Sequence, residues 1–491
     1  MSSSKIFRAS LSIGLAAALL AGVPLGCVAR AENSVDRAAA ASSLEPASEG
    51  AFRHLRALQD IAAANGGNRA AGTPGYDRSA EYVAERLKEA GYVVRFEEFE
   101  FPFFEERTPP ILLTRRPGLA QEPTPAVAVR TLANSGSNDV TAQLRAVNLQ
   151  LGADPPPAST SGCETGDFKD FEPGALALVR RGTCPFQIKV ENAVAAGALG
   201  VVIMNEGTDG RRDAFSGQLS KPVAIPVVGV TYEFGRSLDS AARADGGGTV
   251  RLAVDAVTGK RPTRNVLAGT AFDDGALIVV GAHLDSVPEG PGINDNGSGS
   301  AAVLEAALRL AQEAVATRGR VRFAFWGAEE RGLIGSRHHV GSLSDAERQQ
   351  IALYINLDMV GSPNFAQFVQ ASAADSDGLA AVVRRELIAD FRERNLTVEE
   401  RTGGRFGSDD SSFRQKGIPT VGLYTGAGGP KSEAQASLFG GAAGRPYDPC
   451  YHQACDTVEN IDRDVLEQNT RALVRALRAA VTARSPRTPI Q

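Results

Sequence analysis

The sequence is poor in several residue types and patterns that mark common functional classes. It has five histidines, five cysteines and one tryptophan, and it has no C-x-x-C pair, which argues against a zinc-finger module. Its 52 basic residues are outnumbered by 57 acidic ones, so nothing favours nucleic acid or an anionic membrane as a partner. Beyond the amino-terminal segment no stretch of 18 residues is apolar, so no membrane span is expected in the mature chain.

The amino-terminal residues have the pattern of an export signal. Lys5 and Arg8 precede an apolar run, and a small-x-small cleavage site ends at Ala31. We therefore predict a signal peptide over residues 1–31 and a secreted protein, extracellular or periplasmic. Removing this segment takes away three basic residues and no acid, which changes the net charge from −5 to −8. The alternative is a lipoprotein anchored through Cys27, although a proline three residues before that cysteine fits lipid processing poorly.

Four cysteines remain in the mature chain, an even number that suits an oxidising compartment. We predict two disulfides, Cys163–Cys184 and Cys450–Cys455. The second would enclose Tyr451 and His452, and a bridge over so few residues removes little chain entropy. Its expected role is therefore to hold the tyrosine and the histidine rigidly.

Length and patterning indicate two domains, one inserted into the other. Apolar strands alternate with amphipathic helices from Asn265 onwards, which predicts an α/β fold with a doubly wound, mostly parallel mixed sheet flanked by helices. The segment RFEEFEF predicts a half-buried strand, and the Pro-rich stretch from Pro102 to Pro125 leads into short β-like segments that predict an inserted β-rich α/β domain. The predicted divisions are a flexible linker at 32–49, a main domain at 50–124 and 259–484, an insert at 125–258 and a loose tail at 485–491.

Seven acidic or histidine side chains lie at the ends of predicted strands or in the turns beside them. They are His283, Asp285, Asp295, Glu329, Glu330, Asp358 and His452. In open α/β sheets ligands bind beyond the carboxyl ends of the strands, and an acid after a continuous apolar strand is costly unless it is paired or binds metal. Because Zn²⁺ accepts imidazole nitrogen and carboxylate oxygen, the set can hold two zinc ions that share a carboxylate, with a base to spare.

Five of the seven have a plainer explanation when they are taken alone. His283 and Asp285 are two residues apart and point the same way, so one can bind metal while the other supports it, or they form a structural hydrogen bond. Asp295 lies in a Gly-rich turn where helix caps are common, yet we assign it as the shared ligand. Glu329 and Glu330 can divide metal binding and proton transfer, or form a solvated acidic loop. Together the residues predict a co-catalytic zinc hydrolase.

Two parts of the chain resemble known families. The main domain resembles metallopeptidase family 28, especially its bacterial secreted leucyl aminopeptidases, in five motifs: GAHLDS, GINDNGSG, FWGAEERGLIGS, NLDMVG and CYHQACDT. The insert resembles a protease-associated (PA) domain in RGTCPFQIKVENAVAAGALGVVIMNE, whose partner the sequence does not indicate. The resemblance implies a zinc peptidase fold, two Zn²⁺ per chain, and peptide substrates with a free N-terminus and a large apolar first residue.

The resemblance also implies a role for each site residue. The implied zinc ligands are His283, Asp295 and Asp358 at one ion and Asp295, Glu330 and His452 at the other. Glu329 is then the general base that takes a proton from the attacking water and returns it to the leaving amine. Tyr451 would hydrogen-bond the developing oxyanion, and the pocket for the first residue would map near Met359 and Tyr424.

One loop departs from the family pattern, and several alternatives stay open. Relatives have Ser-Asp-His where this chain has Ser408-Asp409-Asp410, and some have arginine where Gly407 stands. The same scaffold also carries dipeptidases, carboxypeptidases and one-zinc acyl-transfer cyclases, and a receptor-like relative without catalysis is a further alternative. An aspartate at position 358, rather than glutamate, is typical of the aminopeptidases.

Overall fold

The computed structural model describes residues 47–115, 122–123, 126–151, 157–243, 249–269, 277–312, 320–372, 378–403 and 407–482. The predicted signal peptide, the tail and residues 32–46 of the predicted linker lie outside these ranges. The last three residues of that linker belong to the first helix. No helix able to cross a membrane is found within the described residues.

The helices of the described residues are α1 (Ala47–Ala64), α2 (Pro74–Glu89), α3 (Phe186–Ala195), α4 (Tyr232–Arg243), α5 (Gly299–Gln312), α6 (Ile334–Ser342), α7 (Asp345–Gln350), α8 (Leu379–Glu393), α9 (Asp410–Arg414), α10 (Glu433–Phe439) and α11 (Arg463–Thr482). The strands are β1 (Val93–Arg115), β2 (Glu122–Pro123), β3 (Val129–Thr131), β4 (Asn138–Ala146), β5 (Leu176–Arg180), β6 (Gly200–Met204), β7 (Val227–Val230), β8 (Thr249–Gly269), β9 (Leu277–His283), β10 (Arg320–Trp326), β11 (Ile351–Leu357), β12 (Phe368–Ala371), β13 (Glu399–Thr402) and β14 (Thr420–Tyr424).

Two long strands join the main domain to the insert. β1 and β8 pair antiparallel from Val93 with Gly269 to Arg115 with Thr249. The other edge of β8 pairs with β10 near its carboxyl end and with β4 near its amino end. All the described strands therefore belong to one continuous sheet, and the predicted insert boundary at residue 258 lies within β8.

β1 runs further than the sequence pattern suggests, because it passes through prolines at positions 102, 109 and 110. The pairing with β8 shifts register between Glu106 and Ile111, so the strand bulges around the Pro109–Pro110 pair. Proline lacks a donor and is tolerated at bulges and on edge strands, which explains why this Pro-rich stretch remains extended.

The main sheet has the order β1-β8-β10-β9-β11-β14-β12-β13, in which β10, β9, β11 and β14 are mutually parallel. Alternate residues of β9 face opposite layers of helices. Ile278, Val280 and Ala282 pack in the core that α1, α5, α8 and α11 cover, whereas Val279 packs with Trp326 in the core beneath α6 and α9. Both faces are buried, as continuous apolar strands predict.

The insert has its own layers. β4, β5, β6 and β7 are parallel neighbours, and β3 pairs antiparallel with β7. Leu178 and Met204 pack with Leu238 of α4 on one face, and Val179 and Ile203 pack with Val190 of α3 on the other. The Cys163–Cys184 disulfide closes the loop that precedes β5 onto the turn before α3. The predicted fold class, a mixed α/β sheet with helices on both faces and an inserted α/β domain, is confirmed.

Candidate metal centre

The site lies where three parallel strands end. β10, β9 and β11 are adjacent and parallel, so their carboxyl ends meet at one edge of the sheet. His283 is the last residue of β9, Asp358 follows β11, and Glu329 and Glu330 follow β10 after two small residues. Parallel pairing alone therefore brings four predicted site residues together.

Two further segments complete the cluster. Asp295 lies in the turn Ile293–Ser298, directly before α5, and His452 lies in the turn that the Cys450–Cys455 disulfide closes. His452 has a left-handed backbone with φ of 58°, a conformation that non-glycine residues adopt only where their surroundings enforce it. The ring of Tyr451 stacks on the His452 imidazole with centroids 3.9 Å apart.

Asp295 stands between the two imidazoles. Its Oδ1 is 3.3 Å from Nε2 of His283, and its Oδ2 is 3.1 Å from Nε2 of His452. On the first side, Asp358 Oδ1 is 3.5 Å from the same His283 nitrogen. On the second, Glu330 Oε2 is 3.1 Å from the same His452 nitrogen. One carboxylate thus faces two separate groups of nitrogen and oxygen atoms.

These groups have the donor atoms that zinc prefers. Three sets of three residues each offer ligand atoms within 4.8 Å of one another: His283, Asp295 and Asp358; Asp295, Glu330 and His452; and His283, Glu329 and Glu330. Oδ1 of Asp358 and Oε1 of Glu330 are buried without a hydrogen-bond partner among the described residues, which is costly for a carboxylate unless a cation is near. The residues therefore fit a pair of cations.

The pKa values reflect an excess of negative charge. Burial raises the pKa of Glu329 well above its usual range, and the carboxylates of Asp409, Asp358 and Glu330 add to the rise. Burial also raises the pKa of Glu330 to about 7, with Asp295 adding to it. Burial lowers the pKa of His283, but the nearby carboxylates hold it well above its usual range. Cations would relieve this repulsion.

Asp285 supports the site differently from the simplest expectation. Nδ1 of His283 contacts the backbone oxygen of Asp285 at 3.1 Å, while the Asp285 carboxylate is 3.7 Å away from that nitrogen. The carboxylate instead accepts the backbone N–H groups of Glu329 at 3.1 Å and Glu330 at 3.3 Å. It therefore fixes the turn that carries both glutamates.

Sequence reasoning missed residues that hold the ligand loops. Asp456 accepts the backbone N–H of Asn294 at 2.8 Å and that of Asp295 at 3.0 Å, so it ties the Asp295 turn to the segment after His452. Arg69 is fully buried and donates to the backbone oxygens of Leu284, Pro291 and Gly292. Asp456 belongs to the CYHQACD motif, but nothing in that string sets it apart from its neighbours. Nothing in the sequence around Arg69 indicates a role at the site.

A cavity of about 110 Å³ opens onto the cluster. Besides the ligand candidates, it is lined by Asn356, Met359, Gln370, Gly407, Ser408, Tyr424, Ala427 and Tyr451. Both residues predicted for the substrate pocket, Met359 and Tyr424, are among them. The remaining histidines of the chain lie elsewhere: His54 bonds Tyr82, His338 stacks on Phe99 and His339 bonds Glu97.

Comparisons with known proteins give the family. Residues 265–477 match peptidase family M28, and residues 140–238 match the PA domain. The chain is 43% identical over 435 residues to an aminopeptidase of Pseudomonas aeruginosa, an alignment that covers 86% of this chain and 78% of that protein. The chain belongs to peptidase family M28. The predicted family and the predicted PA insert are both confirmed.

Two further relatives extend the comparison of this M28 peptidase. A protein of Mycobacterium tuberculosis named "Probable lipoprotein aminopeptidase" is 40% identical over 441 residues, which is 85% of this chain and 81% of that protein. The crystal structure of a zinc aminopeptidase from Bacillus subtilis superposes with a TM-score of 0.61 at 26% identity, covering 88% of this chain and 94% of that one.

Proposed function

We propose that this M28 peptidase is a secreted zinc aminopeptidase that holds two zinc ions and removes the first residue of peptides. The observation that carries the proposal is Asp295, which directs one carboxylate oxygen toward the His283 group and the other toward the His452 group. The aminopeptidases of Pseudomonas aeruginosa and Bacillus subtilis support the reaction, and the Bacillus subtilis protein, a zinc aminopeptidase, supports the choice of metal.

Each of the two groups of donor atoms around Asp295 would hold one ion. One ion would be held by His283, Asp295 and Asp358, and the other by Asp295, Glu330 and His452. When bound, zinc supplies Lewis acidity, which polarises the scissile carbonyl and makes water a stronger nucleophile at neutral pH. The backbone oxygen of Asp285 accepts the second imidazole N–H of His283, so the outward nitrogen is free to bind metal.

Glu329 is the general base in this proposal. Its Oε2 is 3.9 Å from His283 Nε2, and it could also offer a ligand atom together with His283 and Glu330. We assign it the proton transfer because the two sets that share Asp295 are complete without it. Because it lies beside the ligand groups in the same cavity, its carboxylate can take a proton from water and return it to the leaving amine. Tyr451 lines the cavity, and its hydroxyl donates to the oxyanion that develops on the carbonyl.

We infer a substrate with a free amino group from the aminopeptidases of Pseudomonas aeruginosa and Bacillus subtilis that resemble this chain. The carboxylates of Glu329, Glu330 and Asp358 line the cavity, but bound zinc would offset their charge, so they do not by themselves choose between the two ends of a peptide. Met359 and Tyr424 give the pocket apolar surface, which suits the stem of a large first side chain. These relatives favour an aminopeptidase over a carboxypeptidase on the same scaffold.

Hydrolysis of leucine p-nitroanilide by the purified mature protein tests this function. We expect release of nitroaniline that stops with a chelator and returns with zinc, about two zinc ions per chain by metal analysis, the number a co-catalytic site requires, and no hydrolysis of the N-acetylated substrate. Hydrolysis of N-blocked peptides from the carboxyl end would favour the carboxypeptidase instead. A protein that binds zinc and cleaves neither substrate would support the receptor-like alternative.

Glu329→Gln and Glu330→Gln separate the two glutamates. Glu329→Gln should keep the zinc content of the wild type and lower kcat by about 10²–10⁴-fold, the usual contribution of a general base. Glu330→Gln should lose one ion. If Glu329→Gln loses zinc and Glu330→Gln retains it, the two roles have been exchanged.

Export is part of the proposal, and the two disulfides support it, because such bonds persist in oxidising compartments. The name of the Mycobacterium tuberculosis relative keeps lipid anchoring through Cys27 as the alternative. Mass analysis of the amino terminus of the natively produced protein distinguishes them: secretion predicts a start near Glu32, whereas anchoring predicts a diacylated cysteine.

A further inference from the structure

A chain of hydrogen bonds runs from the buried tryptophan to the cavity. Trp326 Nε1 donates to the Tyr354 hydroxyl at 2.8 Å, and that hydroxyl donates to Asn356 Oδ1 at 2.7 Å. Asn356 Nδ2 then donates to the Ser408 Oγ at 3.0 Å. The last two residues, Asn356 and Ser408, line the cavity.

The direction of this chain is fixed by its first member. An indole N–H donates and never accepts, so Tyr354 must use its own hydrogen toward Asn356. The amide of Asn356 is thereby oriented, with its nitrogen toward Ser408. The Ser408 oxygen accepts that bond and keeps its own hydrogen, for which the described part of the chain provides no acceptor. The Ser408 hydroxyl is therefore a donor available to whatever occupies the cavity.

Gln370 adds a second polar group to the same cavity. It lies in β12, where Val369 and Ala371 pack into the helix-covered core of the main sheet, so Gln370 points to the opposite face. Its neighbour on that face, Phe368, stacks near Tyr424 with ring centroids 5.8 Å apart. Gln370 is 8% exposed as a residue and lines the cavity, and its side-chain amide has no hydrogen-bond partner among the described residues.

We propose that the pocket selects an N-terminal residue with a carboxamide side chain, glutamine above all. Met359 and Tyr424 would contact the aliphatic stem, the Ser408 hydroxyl would donate to the side-chain oxygen, and the Gln370 amide would pair with the side-chain amide. This specificity rests on the proposed aminopeptidase function and replaces the large apolar first residue, which the family resemblance implies, by a polar one.

Other first side chains would leave the Ser408 hydroxyl or part of the Gln370 amide without a hydrogen-bond partner. A leucine or methionine side chain would bury the Ser408 hydroxyl and the Gln370 amide without partners, and a buried polar group without a partner weakens binding. A glutamate side chain accepts hydrogen bonds but cannot donate one, so it would leave the Gln370 side-chain oxygen without a partner and would bury a charge. A carboxamide carries a donor and an acceptor without charge, so it satisfies both groups.

The test compares glutaminyl and methionyl p-nitroanilides, whose unbranched side chains have similar length. The wild-type zinc enzyme should have a higher kcat/KM for the glutaminyl substrate. Gln370→Met and Ser408→Ala should each lower the ratio of glutaminyl to methionyl kcat/KM about tenfold, the factor that one lost hydrogen bond of about 1.4 kcal/mol represents. Gln415→Met, the same change at an exposed position beyond α9, should leave the ratio unchanged.

The outcomes separate the two proposals. If the wild type hydrolyses both substrates but favours the methionyl one, or if neither variant changes the ratio, the specificity is wrong while the aminopeptidase function stands. If the wild type hydrolyses no aminoacyl anilide, both fail. Because the wild-type ratio is itself predicted, a variant that does not fold leaves the specificity testable.

Discussion

Replacing Asp285 by asparagine tests how the two glutamates of the metal centre are held. The carboxylate is fully buried and accepts the backbone N–H groups of Glu329 and Glu330, one with each oxygen. Asparagine has the same shape, but only one of its two terminal atoms accepts. The variant therefore keeps one bond and places an NH₂ group against the other backbone N–H.

The size of the effect follows from that single lost bond. A hydrogen bond to a charged acceptor contributes about 1.5–3 kcal/mol, so we expect the free energy of unfolding of the zinc-free protein to fall by about that amount. Because the glutamates move with their turn, zinc affinity should also fall, by about 10–100-fold, as for other residues that orient metal ligands. Asp285→Ala, which loses both bonds, should have the larger effect on each quantity.

Three measurements check the reasoning: urea unfolding of the zinc-free protein, zinc titration against a chelator of known affinity, and kcat of the zinc-saturated enzyme. Asp464→Asn, at the exposed start of α11, is the matched control and should change none of them. If Asp285→Asn lowers stability while zinc affinity and kcat stay at wild-type values, the carboxylate is structural and something else positions the glutamates.

Two further predictions concern the same centre. Asp456→Ala removes the acceptor for the backbone N–H groups of Asn294 and Asp295, so competition with a chelator should show weaker binding of both ions, since Asp295 serves both groups; loss of one ion alone would contradict this. Zinc should also raise Tm more at pH 8 than at pH 5.5. Burial raises the pKa of Glu330 from 4.5 to about 7, and although burial lowers the pKa of His452, Asp295 and Glu330 raise it from 6.5 to about 10. Both groups bind protons more tightly in the folded zinc-free protein than in the unfolded chain. The stability of the zinc-free protein therefore falls as pH rises from about 4.5 toward 10. Zinc binds the deprotonated ligands, so its binding strengthens over the same range. A smaller zinc-induced increase in Tm at pH 8 than at pH 5.5 would refute this.

The sequence predicts where the main candidate residues lie because they follow strands that are apolar throughout. Such strands are recognisable without coordinates, and their parallel pairing places His283, Glu329, Glu330 and Asp358 at one edge. The strand pattern does not predict which groups form hydrogen bonds with the residues around the site. Asp285 was expected beside an imidazole or in general support, yet its carboxylate bonds two backbone N–H groups, and backbone partners depend on tertiary geometry that no motif records.

Gly281 shows why the sequence does not indicate that the cavity is polar. In the string VVGAHLD this glycine looks like a weak point in β9, since glycine lowers strand propensity. A Cβ at this position would lie 2.6 Å from Trp326 Nε1 and 2.9 Å from the Tyr354 hydroxyl, so any larger residue would collide with the first hydrogen bond of the chain that ends at Ser408. The residue that permits a polar pocket is thus remote from the pocket in sequence and has no polar group of its own, and only the packing of three neighbouring strands connects them.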